Sequence, residues 1–267
     1  MQITLNNGLA MPLIGYGTYD MGTAEVLTAL QAGYRQIDTA HGYRNEKEVG
    51  IAMKESGIPR EDIFLVTKVT TGALREDTVL QEFEQSLQNL GTDYVALYLI
   101  HWPVKEKYVD AWKVMEQIYT SGRAKSIGVS NFQTYHLDEL RKHWRIVPAV
   151  NQIELHPKMT QRELVVYCQK DNIAIQAWSP LGAGKAAMHE NPVLLEIAGK
   201  YSVTPAQVIM RWIVEQGIVA IPRSRSAERI KLNREVEGFE LTPAECEQIT
   251  GLNENLRTGP DPDNFSF

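Results

Sequence analysis

The chain has 267 residues, of which 43% are hydrophobic, and its formal net charge at pH 7 is -6. A negative surface repels nucleic acid and anionic membranes, and the sequence has neither a basic tail nor an apolar run long enough to span a bilayer. We therefore expect a cytoplasmic protein, and we interpret the only two cysteines, Cys168 and Cys246, as packing residues.

The chain begins with the pattern of a β-hairpin at residues 2–14. Ile3 and Leu5 alternate with polar residues, Asn6-Asn7-Gly8 predicts the turn, and residues 11–14 form the returning strand. After it, short apolar runs alternate with loop residues and amphipathic segments of ten or more residues. Eight such runs occur, at residues 14–17, 34–37, 63–66, 94–100, 126–129, 149–152, 173–177 and 218–221.

The segments between the runs carry helix signals. Residues 76–89 are closed by Gly91, and residues 160–170 begin with Thr160 and Glu163 in a capping-box pattern.

This alternation predicts an α/β fold, a single (β/α)₈ TIM barrel over residues 1–267, with short loops at the mouth and the site at the C-terminal ends of the strands. An open doubly wound sheet is the competing architecture. It usually carries Gly-x-Gly-x-x-Gly after its first strand, whereas this chain has only Gly15 and Gly17.

Titratable residues follow three of the predicted strands. Asp38 comes after the second run, Lys68 after the third and His101 after the fourth, while Tyr43 lies in the loop beyond Asp38. A lysine beside a tyrosine favours the phenolate, and a carboxylate can balance a buried lysine. These groups suit protonation of a carbonyl oxygen, although an Asp cap and a packed tyrosine are the simpler interpretation of Asp38 and Tyr43 taken alone.

Three stretches together resemble the signatures of the aldo-keto reductase family. They are Gly33-Tyr34-Arg35-Gln36-Ile37-Asp38-Thr39-Ala40 with Glu46 and Val49-Gly50; Lys125-Ser126-Ile127-Gly128-Val129-Ser130-Asn131-Phe132; and Ile221-Pro222-Arg223-Ser224 with Arg229 and Asn233. The resemblance implies an NADPH-dependent carbonyl reductase in which Tyr43 is the general acid. Lys68 and Asp38 would tune that acid, and His101 would orient the carbonyl.

The resemblance also implies the cofactor contacts. Ser130, Asn131 and Gln152 would hold the nicotinamide carboxamide, and Trp178 would stack on the ring where the family usually has tyrosine. The remaining expected NADPH contacts are Thr18, Asp38, Ser179, Leu181, Gly182, Arg223, Ser224, Arg225, Arg229 and Asn233.

We interpret the basic cluster in that set as a clamp for the 2'-phosphate that distinguishes NADPH from NADH. The cluster consists of Arg223, Ser224, Arg225 and Arg229, and the alternative is that it is only a solvated helix end. Arg223 replaces the commoner lysine, Leu232 replaces a carboxylate or amide near the adenine, and Gln36 lies outside the usual first signature.

The substrate would contact Tyr19, Tyr43, Thr70, His101 and Trp102. Short mouth loops predict an open pocket, as in the compact microbial branch that includes the 2,5-diketogluconate reductases, which take small dicarbonyls, keto-sugars and reactive aldehydes.

Two alternatives remain at this point. A metal site of Asp38, His101, Glu154 and His156 is disfavoured by the Lys68 cation, so no metal is expected. The expected function is that of a monomeric, NADPH-dependent reductase of aldehydes and ketones. A nucleotide-binding regulatory or redox-sensing subunit with little turnover would keep the same residues.

Overall fold

The computed structural model describes all 267 residues and contains eight parallel strands in one sheet. The strands, with the N-terminal pair counted first, are β1 Gln2–Thr4, β2 Ala10–Pro12, β3 Tyr16–Gly17, β4 Gln36–Asp38, β5 Phe64–Val69, β6 Leu97–Ile100, β7 Ile127–Ser130, β8 Val150–Glu154, β9 Ala174–Trp178 and β10 Val219–Ala220. Each strand from β3 to β9 pairs with the next one in the chain.

Backbone hydrogen bonds close this sheet into a barrel. Gly15 N donates to Ala220 O at 2.9 Å, Ala220 N donates to Leu13 O at 2.8 Å, and Gly17 N donates to Pro222 O at 3.0 Å. These bonds join the first and last strands, so the predicted (β/α)₈ barrel is confirmed.

Helices separate consecutive strands and cover the outside of the barrel. They are α1 Thr23–Gln31, α2 Glu46–Ser56, α3 Thr71–Arg75, α4 Val79–Leu90, α5 Tyr108–Thr120, α6 Thr134–Arg141, α7 Arg162–Lys170, α8 Pro192–Tyr201, α9 Pro205–Glu215, α10 Ala227–Arg234 and α11 Pro243–Thr250. None of them is long and apolar enough to cross a membrane.

The predicted N-terminal hairpin is confirmed, and it covers the N-terminal ends of the barrel strands. Gly8 adopts φ 86° in the turn between β1 and β2. The Asn7 side chain donates to Lys125 O and to Ser126 Oγ, each at 2.8 Å, just before β7. The opposite end of the barrel therefore stays accessible.

Several local boundaries differ from the prediction. Asp38 is the last residue of β4 and Lys68 lies inside β5, so neither is in a loop. The capping-box prediction at Thr160 is wrong, because the N-cap of α7 is Gln161 and it makes no side-chain cap hydrogen bond. In this parallel sheet, pairing with β6 carries β5 past the apolar run to Val69, whereas its pairing with β4 ends at Val66.

Candidate active site

The side chains of Asp38, Lys68 and Tyr43 meet at the C-terminal end of the barrel. Lys68 Nζ donates to Asp38 Oδ1 at 2.5 Å, to the Thr39 carbonyl at 2.8 Å and to Tyr43 Oη at 3.4 Å. An ammonium has three N–H donors, and here each has an acceptor. Lys68 is therefore held in one orientation, with Tyr43 within its reach.

Burial and the charge of the ion-pair partner shift the pKa values of these three groups in opposite directions. Burial raises the pKa of Asp38, while Lys68 pulls it partly back. Burial alone would lower the pKa of Lys68, but Asp38 and Tyr43 outweigh it and the pKa is raised, so the lysine stays charged. The pKa of Tyr43 is also raised, because burial exceeds the opposing effect of Lys68.

His101 completes this group from the end of β6. Its ring packs edge-on to Tyr43, with the centroids 5.5 Å apart. Burial, followed by the nearby charge of Lys68, places its pKa well below 6.5, so its imidazole is neutral near pH 7. A neutral imidazole can donate one N–H to a carbonyl oxygen without carrying charge.

The turn that carries Tyr43 is a single 3-10 turn, His41–Tyr43, that ends at Arg44 in the left-handed region at φ 59°. A buried carboxylate, Glu46 at the start of α2, holds this turn from beneath. It accepts from His41 Nδ1 at 3.0 Å and from Thr67 Oγ1 at 2.7 Å.

Beside the phenol lies a set of buried amides and hydroxyls. Asn131 Nδ2 donates to the His101 carbonyl at 3.0 Å and to Ser130 Oγ at 3.1 Å. Gln152 Nε2 donates to Asp38 Oδ2 at 2.7 Å, which ties this set to the ion pair. Trp178 Nε1 donates to Asn131 Oδ1 at 2.8 Å, and its half-buried indole faces the same space.

A cleft of about 1190 Å³ runs from these residues across the barrel mouth. Of the residues predicted from the sequence, it is lined by Thr18, Tyr19, Asp38, Tyr43, Thr70, His101, Trp102, Ser130, Asn131, Gln152, Trp178, Ser179, Leu181, Arg223, Ser224, Arg225 and Arg229. Lys68, Gly182 and Asn233 do not line it. Lys68 is fully buried behind Asp38 and Tyr43, and Asn233 is buried within α10.

The basic end of the cleft is linked to the loop after β3. Arg225 Nη2 lies 2.6 Å from Asp20 Oδ2, and Arg223 Nη1 donates to the Tyr19 carbonyl at 3.2 Å. Arg229 Nε donates to Ser224 Oγ at 3.3 Å and meets no carboxylate. Of the three guanidiniums, Arg225 is the one already paired with an acid.

The substrate end differs from the predicted open pocket, because the C-terminal residues fold back onto it. The rings of Phe265 and Phe267 lie 5.2 and 5.3 Å from the Trp102 ring, and Phe267 lines the cleft. Thr70 lines it too, while its hydroxyl and amide are held by Glu82. No sequence pattern marked Phe267, since its contact with Trp102 joins residues far apart in the chain.

The proposed metal alternative finds no support in the arrangement of its ligands. Glu154 and His156 lie at the end of β8, but Glu154 accepts hydrogen bonds from His156 and Thr258, and no group of three acid, histidine or cysteine side chains is arranged to hold an ion.

Comparison with known proteins places these features in one family. The profile of the Aldo/keto reductase family matches residues 13–254. The 9,11-endoperoxide prostaglandin H2 reductase of Trypanosoma cruzi is 48% identical over 98% of this chain and 95% of its own length. The glyoxal reductase of Bacillus subtilis is 45% identical over 99% and 97%. The solved structure of a Bombyx mori aldo-keto reductase in complex with NADP superposes with a TM-score of 0.92 at 33% identity, covering 98% of this chain and 96% of that one.

The profile covers more than half of the chain, and both enzymes align over nearly its full length. The chain therefore belongs to the aldo/keto reductase family of oxidoreductases.

Proposed function

We propose that this protein reduces aldehydes and ketones to alcohols with NADPH, and that small dicarbonyls are its substrates. The observation that carries the proposal is the position of Lys68, whose buried ammonium contacts Asp38 and Tyr43, two residues that line a large cleft.

The chain's own groups account for the proton half of the reaction. Tyr43 donates its phenolic proton to the carbonyl oxygen, and the Lys68 ammonium stabilises the phenolate left behind. Asp38 keeps that lysine charged. The neutral His101 donates an N–H to the same oxygen and orients the carbonyl towards the phenol. When bound, the reduced nicotinamide supplies the hydride to the carbonyl carbon.

The residues of the cleft fit a nicotinamide dinucleotide. Thr18 Oγ1 is buried at the cleft and has no partner, as expected of a hydroxyl that awaits a polar ligand. Ser130, Asn131 and Gln152 would hold the carboxamide, and the exposed face of Trp178 would stack on the ring. Ser179 and Leu181 would line the pyrophosphate, and the exposed Arg229 and Arg223 would bind the 2'-phosphate.

Two features support a small substrate. Trp102 and Phe267 line the substrate end of the cleft with aromatic rings, on which Phe265 packs, and Thr70 lines the cleft as well. A relative of nearly the same length is a glyoxal reductase, and glyoxal is a two-carbon dicarbonyl.

The decisive test is NADPH oxidation with glyoxal, methylglyoxal, a nitrobenzaldehyde and 2,5-diketogluconate, using wild type and Tyr43→Phe. Losing a positioned acid should lower kcat by roughly 10²-fold to 10⁴-fold. Tyr119→Phe is the matched control, because Tyr119 lies on α5 outside the cleft.

Unchanged turnover in Tyr43→Phe would remove the proton-donor assignment. Tight NADPH binding without turnover of any carbonyl would instead favour a regulatory protein.

A further inference from the structure

The Trp178 indole is fixed at both of its ends. One end is its N–H, which donates to Asn131 Oδ1 at 2.8 Å. The other end is the benzenoid edge, which lies against Gly259 so closely that a Cβ there would be 2.3 Å from Cη2 and 2.8 Å from Cζ3. Such distances leave no room for any other residue at position 259 unless the indole or the chain moves.

The segment that contains Gly259 is held in place by a buried carboxylate. Glu154, the last residue of β8, accepts hydrogen bonds from Thr258 N at 2.7 Å, from Thr258 Oγ1, and from Gly259 N at 3.3 Å. Arg257 Nη1 lies 3.6 Å from its other oxygen. Lys185 Nζ adds a bond to the Thr258 carbonyl at 3.2 Å.

This carboxylate is charged. Burial would raise the pKa of Glu154, but the hydrogen bonds from His156 and Thr258 outweigh it, and the pKa is lowered. A buried anion is costly unless its oxygens find donors. Removing residues 257–259 would leave Glu154 with His156 alone, so the carboxylate and the segment depend on each other.

The segment belongs to the cleft and is remote from the proton donor. Thr258, Gly259 and Pro260 line the same cleft as Asn131 and Trp178. None of them contacts Tyr43 or Lys68 through a hydrogen bond. A change in this segment should therefore act on whatever rests against the indole and leave the proton donor in place.

We infer that residues 257–260, anchored by Glu154, form a positioning element. This element sets the angle of the Trp178 ring and thereby the position in which the nicotinamide ring binds. The inference rests on the proposed function, because it takes the Trp178 face as the stacking surface. Tryptophan at 178 requires glycine at 259, and Glu154 keeps that glycine against the ring.

The first test measures NADP⁺ binding directly, by fluorescence or calorimetric titration, in wild type and Gly259→Ala. The added methyl group must displace the indole or the segment that holds it, and we expect the Kd to rise roughly tenfold or more. Gly238→Ala is the matched control, because a Cβ at Gly238 meets nothing within 4 Å, and its Kd should equal that of wild type.

A double-mutant cycle isolates the contact. Phenylalanine at 178 lacks the Cη2 and Cζ3 atoms that a Cβ at 259 would strike, so Gly259→Ala added to Trp178→Phe should change the Kd less than about twofold. Equal penalties in both backgrounds would overturn the inference, because the effect would then not pass through the indole.

Glu154→Gln tests the anchor without adding bulk, and it serves if Gly259→Ala does not fold. Amide hydrogen exchange of the cofactor-free protein should speed up at residues 257–259, and the Kd for NADP⁺ should rise. Faster exchange or lower stability with an unchanged Kd would reduce the segment to a structural role and overturn the inference. A wild type that binds no dinucleotide would instead overturn the proposed function itself, together with the inference that rests on it.

Discussion

Lys68 carries a full charge at a position without solvent exposure, and this sets the electrostatics around Tyr43. An unpaired buried ammonium would be strongly destabilising, whereas a charge with three acceptors is tolerated. The same charge favours the Tyr43 phenolate and the neutral form of His101. One cation thus acts on the acid and on the orienting group together.

The pH dependence of reduction follows from these pKa directions. Tyr43 is active as the protonated phenol, and burial raises its pKa above the ordinary 10.0, so kcat/KM should stay level through neutral pH and fall only in the alkaline range. His101 should contribute no step between pH 6 and 7, because its pKa lies well below 6.5.

The check is kcat/KM for glyoxal across this range. The same pH profile should be measured for His41→Gln. The hydrogen bond to Glu46 raises the pKa of His41, and this variant removes any step that His41 itself causes. A step near pH 6.5 that persists in His41→Gln would contradict the assignment of His101 as neutral.

Selection between NADPH and NADH should depend on Arg229 more than on Arg225. Arg225 is paired with Asp20, while Arg229 contacts only the Ser224 hydroxyl among the side chains of its surroundings. Arg229→Ala should weaken NADPH roughly tenfold or more, as expected for a charge-assisted contact, and NADH little.

Arg234→Ala is the control for this substitution. Arg234 lies on the same helix, but it donates to the Gly33 carbonyl and does not line the cleft. Equal losses of NADPH and NADH affinity in Arg229→Ala would rule out a 2'-phosphate contact.

Helix α2 positions the Tyr43 turn, and its packing depends on one glycine. Gly50 lies against the end of α4, where a Cβ would be 2.6 Å from the Leu90 carbonyl oxygen. This oxygen belongs to the backbone of α4, which cannot move aside as the end of a flexible side chain can. Glu46, the first residue of α2, also holds the turn that carries Tyr43. The packing of α2 against α4 therefore influences the position of Tyr43 in the active site.

Gly50→Ala should therefore lower the free energy of unfolding by about 1–3 kcal/mol. Gly199→Ala is the matched control on α8, where a Cβ meets nothing within 4 Å, and it should be neutral or stabilising by up to about 1 kcal/mol. Urea denaturation measures both. Equal urea midpoints for the two variants would show that α2 and α4 can move apart without a loss of stability.

The two ends of the barrel serve different purposes. The N-terminal hairpin covers one end, and the cleft opens at the other, with the strands and a continuous apolar core between them. Stability and reactivity can therefore change independently, as is usual for (β/α)₈ barrels.

Asn7→Ala tests this separation. Losing its hydrogen bonds to Lys125 and Ser126 should cost about 1–2 kcal/mol of stability. The kcat/KM for glyoxal at 25 °C should remain that of wild type. A loss of kcat/KM in a fully folded variant would mean that the hairpin influences the distant site.

The amino-acid sequence alone determined the barrel and the positions of most candidate residues. Apolar periodicity and helix ends are local signals, and Asp38, Lys68 and His101 could be located because parallel strands bring their C-terminal ends together. The end of β5 was displaced, because pairing with β6 extends this strand past its apolar run.

Only the tertiary structure decided which contacts form between distant parts of the chain. The packing of Phe267 on Trp102, the pairing of Asp20 with Arg225 and the anchoring of Thr258 by Glu154 leave no periodic trace in the sequence. Each joins side chains more than 100 residues apart, and their proximity follows from closure of the barrel and the return of the C-terminal segment across its mouth.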